Sequence, residues 1–253
     1  MRPIITILLL ICKLTVAGQT SLYIVGTVHN RTRNFNSDSI LNILTRLKPD
    51  LILLEMDSSF FDKDFKFKIK LRTNETLGTR KYISKHPTPV RPYDIKGRYL
   101  MKNTIKIEAE SLDRLNSMDW KLESSQRQTY IDFKRSNKEL ISFMKKEPHE
   151  INETYTYDLV KKNQTLMYKG LLDIIESRKE LEDLKIGFRQ SGVLWDWRNK
   201  KIVENILIFL NTDIFKNKTI VLFIGLFHKY YLLNELLFKQ GRYGFVVKEY
   251  YNQ

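Results

Sequence analysis

Apolar positions along this chain follow two rhythms. Short unbroken apolar runs, rich in β-branched and aromatic residues, predict buried strands, and apolar residues three and four apart predict helices. The run Ser21 to His29 (SLYIVGTVH) predicts a strand entering a loop that carries a histidine three residues after a glycine. The pattern returns at Ile220 to His228 (IVLFIGLFH). A glycine where a strand ends suits a sharp turn or the close approach of a ligand. Asp50 to Glu55 (DLILLE) predicts another buried strand, tipped by a carboxylate. Val90 to Asp94 reads as a strand end, with Pro92 placing it at a sheet edge. Tyr243 to Tyr250 reads as a last strand.

Between the first two strands, Asn30 to Asn36 is a polar loop and Ser37 reads as an N-cap. Ile40, Leu41, Ile43, Leu44 and Leu47 follow at helical spacing until Lys48-Pro49 stops them. Strand, helix, strand over so few residues predicts a βαβ unit and therefore parallel pairing. Phe60 to Lys85 is basic and aromatic with weak helical periodicity. Thr104 to Lys146 is helical, Pro148 breaks it, and Tyr157 to Leu184 is a further helix or pair. The leucine, methionine and aromatic stripes of this region read as core packing. Asp196 reads as the N-cap of a helix buried through Ile202, Val203, Ile206, Leu207 and Leu210. Tyr231 to Phe238 is helical, with Gly241 ending it. The fold class predicted is α/β: a mostly parallel central sheet with flanking helices, in one domain over 18–253, and a helical insertion or cap at about 104–184.

The 253 residues carry a formal charge of +14, with lysines and arginines spread among acids. No block reads as a nucleic-acid arm, so the prediction is no nucleic-acid partner and weak association with anionic surfaces. Residues 1–17 predict a signal peptide: a basic start, an apolar stretch through Leu8, Leu9 and Leu10, and a Thr15-Val16-Ala17 cleavage site. The expected location is secreted, periplasmic or cell envelope. Cys12, the one cysteine, lies in that segment. A mature chain starting near Gly18 therefore has no disulfide, cysteine nucleophile or thiolate metal site. Five Asn-x-Ser/Thr sequons occur, at Asn30, Asn74, Asn152, Asn163 and Asn217. A glycan on Asn30 would crowd His29.

In a parallel sheet, ligands bind beyond the carboxyl ends of the strands. His29, Glu55 and His228 all fall at or past such ends, so one crevice can collect two imidazoles and a carboxylate. That is a divalent-metal ligand set, and it serves equally for acid–base chemistry without metal, with Glu55 orienting a histidine. Arg198 is the natural fourth member, able to pair with Glu55 or to stabilise an oxyanion. Asp94 reads as a turn or capping aspartate, and His86 and His149 as surface histidines. No serine sits in a nucleophile elbow, and no glycine-rich phosphate loop occurs.

Several of these segments together resemble the TraB/Tiki superfamily. They are Tyr23 to His29 (YIVGTVH), Ser39, Leu47 to Glu55 (LKPDLILLE), Arg198 to Asn205 (RNKKIVEN), and Phe223 to His228 (FIGLFH) with Leu232 and Leu236 beyond. This superfamily includes Tiki metalloproteases, TraB and GumN-like proteins and, distantly, erythromycin esterases and ChaN-like haem-binding proteins. The likeness covers the two ends of the chain; between Phe60 and Gly192 only Tyr93-Asp94 resembles the family. Phe227 stands where a small residue is commoner, which narrows the crevice, and Asn30-Arg31-Thr32 is bulkier than many family loops. The resemblance implies an α/β fold with both histidines, Glu55 and Arg198 in one site. From Tiki it implies metal-dependent hydrolysis of peptides, with manganese or cobalt favoured over zinc. The expectation is then a secreted or envelope hydrolase. His29, His228 and Glu55 hold the metal, Glu55 doubles as general base, and Arg198 stabilises the developing anion. Its alternatives are a non-catalytic protein binding haem or a peptide signal, and a metal-independent esterase with His29 as base.

Overall fold

The computed structural model describes residues 19–68, 71–97 and 102–252. The expected signal segment, with Cys12, lies outside the described residues. Five strands form one sheet: β1 (Thr20–Thr27), β2 (Leu51–Leu54), β3 (Val90–Pro92), β4 (Thr219–Gly225) and β5 (Phe245–Lys248). All pairings are parallel, in the order β3-β2-β4-β1-β5. Pro92 is tolerated because β3 is an edge.

The order of the three central strands brings distant segments together. β4, nearly the last strand in the chain, inserts between β2 and β1. Thr27 pairs with Gly225, and Leu54 with Phe223. The strand preceding Glu55 and the two strands carrying the Gly-x-x-His segments are thus side by side and end together.

Alternate residues of these strands serve opposite faces, as the two-residue period requires. Tyr23, Val25, Ile52, Leu54, Val221 and Phe223 pack against α1 (Ser37–Leu47), through Ile40, Ile43, Leu44 and Leu47, and against Tyr82 of α2 (Asn74–Ile83). Leu22, Ile24, Leu51, Leu53, Ile220, Leu222 and Ile224 pack on the other side. Burial on both faces explains why these strands read as unbroken apolar runs. The N-cap of α1 is Asn36, one residue before the expected Ser37. Its side chain accepts from Asp38 and Ser39 backbone N–H groups, and Ser39 returns the bond in a capping box.

The middle of the chain is helical, as expected: α3 (Lys102–Ser117), α4 (Ser124–Phe143), α5 (Thr154–Thr165), a π-helical turn (Leu166–Leu171) and α6 (Leu172–Ser177). These helices share a core of their own, built on Leu115, Phe133, Leu171, Ile174, Ile175 and Phe188. They form a cap.

One helix joins cap to sheet. α7 (Glu182–Leu210) runs 29 residues, about 43 Å at 1.5 Å per residue. It starts thirteen residues before the Trp195 expected from the sequence, and Asp196 lies inside it rather than capping it. Leu184 and Phe188 belong to the cap core, whereas Ile202, Val203, Ile206 and Leu210 belong to the sheet. The apolar stripe changes partner midway, so the pattern reads as a new start. α8 (Leu226–Tyr243) follows β4 directly and packs Leu232 and Leu236 on the sheet. Gly241 lies within it. The terminator is Gly244, left-handed at φ 68°, a conformation that favours glycine.

Candidate functional site

Arg198 sits where α7 passes from cap to sheet, and it is the centre of the site. Its Nε and Nη2 donate to the two Asp94 oxygens at 3.0 and 2.9 Å, Nη2 also donates to Glu55 Oε1, and Nη1 reaches His228 Nε2 at 2.7 Å. The planar fork of a guanidinium suits such a set of acceptors. Glu55 is the first residue past β2, and its Oε2 accepts the Gly225 N–H at 2.5 Å. Burial works against the Arg198 charge, but the Glu55 and Asp94 carboxylates more than offset it and hold the guanidinium above its ordinary pKa. Tyr93, wholly buried, is pushed well above the usual phenol value by burial, with the Glu55 and Asp94 charges adding. Its hydroxyl donates to Phe223 O at 2.6 Å.

The two histidines have different surroundings. His228 is 6% exposed in its side chain and stacks on Trp195, with centroids 4.1 Å apart and planes 17° from parallel. A guanidinium N–H can only donate, so Nε2 of His228 accepts. Nδ1 then carries the proton and donates to Asn199 Oδ1 at 2.6 Å. His29 is 43% exposed in its side chain, and its Nδ1 lies 2.9 Å from Oε1 of Glu75, a buried carboxylate in the first turn of α2. The Thr27 hydroxyl donates to the same oxygen. Burial opposes ionisation of Glu75, yet the His29 and Thr27 hydrogen bonds hold its carboxyl below the ordinary 4.5. With Nδ1–H directed at Glu75, Nε2 of His29 lies on the Gly225 side. A Cβ at position 225 would stand 3.2 Å from both His29 Nε2 and Glu55 Oε2. Gly225 is glycine because the two side chains converge over its Cα.

Gly26 has a comparable reason. The Asn152 side chain accepts its N–H at 2.7 Å and donates to its carbonyl at 3.0 Å, and a Cβ there would lie 3.0 Å from Lys229 Cδ. Lys229 is fully buried, bonded to Asn152 Oδ1 at 2.7 Å and to Glu249 at 2.9 Å. Asn74 and Asn163 are buried as well, so three of the five sequons are closed to glycosylation in the folded chain. Asn30 and Asn217 are exposed.

Above the strand ends lies a cavity of about 840 Å³. His29, Glu55, Arg198, Gly225 and His228 line its floor, and Trp195 and Tyr168 lie along it with ring centroids 5.7 Å apart. Leu112, Phe133 and Met167 of the cap line it further out. The size falls in the range of roughly 300–1,000 Å³ usual for small-ligand sites.

All four predicted site residues therefore meet in one crevice. Sequence reasoning misses or misreads three of their partners. Asp94 is a buried, bidentate partner of Arg198, not a turn residue; as a carboxylate just past a strand it follows the same rule that singles out Glu55. Glu75 and Asn199 carry no signal of their own in the sequence, since both lie within helices and reach the site only through packing. His86 and His149 are exposed, as expected, with His86 stacked on Tyr82.

As arranged, the single lone pair of His228 Nε2 faces the Arg198 guanidinium, which would have to withdraw before a metal touched that atom. Oε1 of Glu55 accepts from the same guanidinium, and its Oε2 is turned to Gly225 beside His29. Among the described residues no three His, Cys, Asp or Glu side chains are grouped as a metal site. Comparison of the chain with protein-family models, with curated proteins and with solved structures gave no match.

Proposed function

We propose that the protein is a hydrolase of peptide or ester bonds in which His29 is the general base. The observation that carries this reading is the His29–Glu75 pair at the cavity floor. A half-exposed imidazole has its far nitrogen held by a buried, ionised carboxylate, the arrangement that orients a catalytic histidine and stabilises its imidazolium. In this reading Nε2 of His29 takes a proton from water as the water oxygen attacks the substrate carbonyl, and returns it to the leaving amine or alcohol. The N terminus of α8 lines the same cavity and has no side-chain cap, so its first-turn N–H groups are the local donors for the developing oxyanion. Arg198 acts as the hub that positions Glu55 and His228 rather than as a contact to substrate, because two carboxylates already share its charge.

The likeness of the strand ends and of the Arg198 helix to the TraB/Tiki superfamily, which holds hydrolases and ligand-binding proteins alike, supports a functional site at these residues, and the signal-like residues 1–17 support a secreted or envelope location. Metal-dependent hydrolysis is a second reading. It is favoured by the resemblance to Tiki metalloproteases and by the approach of both His29 Nε2 and Glu55 Oε2 to Gly225. Turnover of nitrophenyl esters and fluorogenic peptides separates the two, measured with chelator and with added manganese, cobalt or zinc. The base reading expects activity that survives chelation and is lost in His29→Ala. Loss on chelation with recovery on manganese or cobalt would replace it with the metal reading. No turnover under any condition, with a ligand retained through purification, would replace both with the binding protein.

A further inference from the structure

The cavity is polar at its floor and mostly apolar at its cap end, and two apolar rails lead from one to the other. Along one, His228 stacks on Trp195, and Tyr168 follows with its ring centroid 5.7 Å from that of Trp195. Along the other, Phe227, next to His228 on α8, shares a hydrophobic cluster with Met144 at the end of α4. Beyond both, Leu112 of α3, Phe133 of α4 and Met167 of the π-helical turn line the cavity and belong to one core. The lining is long. On α3 it runs from Thr104 to Leu112, about 12 Å at 1.5 Å per residue.

Glu108 and Asn163 also reach the lining, and both are engaged within the cap. Glu108 is held by the Tyr168 hydroxyl at 2.9 Å and by Ser191, and burial pushes its carboxyl pKa up. Asn163 of α5 donates to Ser136 Oγ of α4 at 3.0 Å. What these helices turn toward a ligand is then chiefly carbon and sulfur. A peptide brings an N–H and a carbonyl at every residue, and each needs a partner once buried. An unbranched hydrocarbon chain brings neither. Met144 and Met167, themselves unbranched and freely rotating, can shape the wall to a chain of many conformers.

We propose that the cap end of the cavity holds the unbranched acyl chain of a fatty ester, with the ester carbonyl at the floor beside His29 and the N terminus of α8. This rests on the hydrolase reading only in taking that ester for a substrate; the chain site itself is a matter of binding. It narrows that reading from peptide or ester bonds to esters of long-chain acids.

Calorimetric titration of full-length His29→Ala protein tests it without turnover. The probes are the N-methylamides of butanoic, hexanoic, octanoic and decanoic acids, and a tetrapeptide of leucine and alanine blocked at both ends. Each buried methylene should strengthen binding about three- to fourfold, so the octanoyl probe should exceed the butanoyl one by on the order of a hundredfold. Adding Leu112→Trp, which fills the far end, should leave the butanoyl affinity as it was and stop the gain at a shorter chain. If that variant fails to fold, Phe133→Leu, which frees space in the same wall, should carry the gain to a longer chain in its place. Affinity that is flat with chain length, or a gain that neither variant moves, would overturn the site. A tetrapeptide that binds more tightly than the decanoyl probe would overturn the acyl chain as the occupant. Wild-type protein that hydrolyses no nitrophenyl ester, while His29→Ala keeps the length dependence, would sink the hydrolase and keep the chain site. Wild-type protein that hydrolyses butanoyl and octanoyl nitrophenyl esters with equal kcat/KM would do the reverse.

Discussion

Nδ1 of His29 lies 2.9 Å from Oε1 of Glu75, although the two residues are 46 positions apart and sit on different elements. The bond selects the tautomer of an exposed histidine from behind, where solvent does not reach. Glu75→Gln should then cost activity without removing the histidine. A glutamine oxygen can still accept from Nδ1–H, but the amide offers no charge to stabilise an imidazolium and can present N–H in the wrong sense. A fall in kcat of about a hundredfold or more, with KM little changed, is expected from steady-state kinetics.

Glu75 also links the site to pH. Its carboxyl is held below the ordinary 4.5, so its contribution to stability is fully present above that value and is lost as pH falls through the lower folded-state pKa. Denaturant titrations of wild type and Glu75→Gln should differ at pH 6 and converge in acid. A constant gap down to pH 2 would contradict this assignment.

Asp94 is wholly buried against Arg198. Asp94→Ala leaves the guanidinium with Glu55 and the His228 nitrogen, its Nε–H stripped of its acceptor, and should destabilise the fold by roughly 3–5 kcal/mol, the cost of breaking a buried pair from one side. In a chain of this size that lowers Tm by roughly 6–20 °C, read by calorimetry. A change within about 1 kcal/mol would mean that the Arg198 cluster is not as buried as its geometry states.

Gly225→Ala probes the convergence over its Cα. The added methyl would stand 3.2 Å from both His29 Nε2 and Glu55 Oε2, and both side chains must give way. Activity should fall at least tenfold while Tm shifts by only a few degrees, since the methyl points at a cavity rather than into the packed sheet.

Lys229 is pulled down from 10.5 to about 8 by burial, against the pull of Glu249. The folded state therefore binds fewer protons than the unfolded chain between these values, and stability from this group rises as pH climbs from about 8 toward 10. Unfolding free energies of wild type and Lys229→Met should show that rise in wild type only. Equal slopes would place the Lys229 ammonium in contact with water.

Much of this protein is legible in one dimension because strand and helix periods are local. The runs ending at Gly26, Glu55 and Gly225 are apolar on both faces, and only a parallel sheet covered on both sides accepts such runs. Strand, helix, strand makes the pairing parallel, and parallel pairing puts the chemistry at the carboxyl ends. Those steps lead to His29, Glu55 and His228 from the chain alone; Arg198 joins them as a guanidinium expected at a helix start beside the crevice, although α7 begins sixteen residues before it. What the sequence does not supply is adjacency. The insertion of β4 between β2 and β1 joins residues some 170 positions apart, as in the bond from Gly225 N to Glu55 Oε2, and no local pattern encodes it. The 29-residue reach of α7 is hidden because its buried face changes partner halfway, from the cap to the sheet. Glu75 and Asn199 look like any polar residue of a helix until packing turns them inward. Whether Arg198 faces a substrate or is held between two carboxylates and an imidazole is set by the burial of all four together, and burial is a property of the folded chain alone.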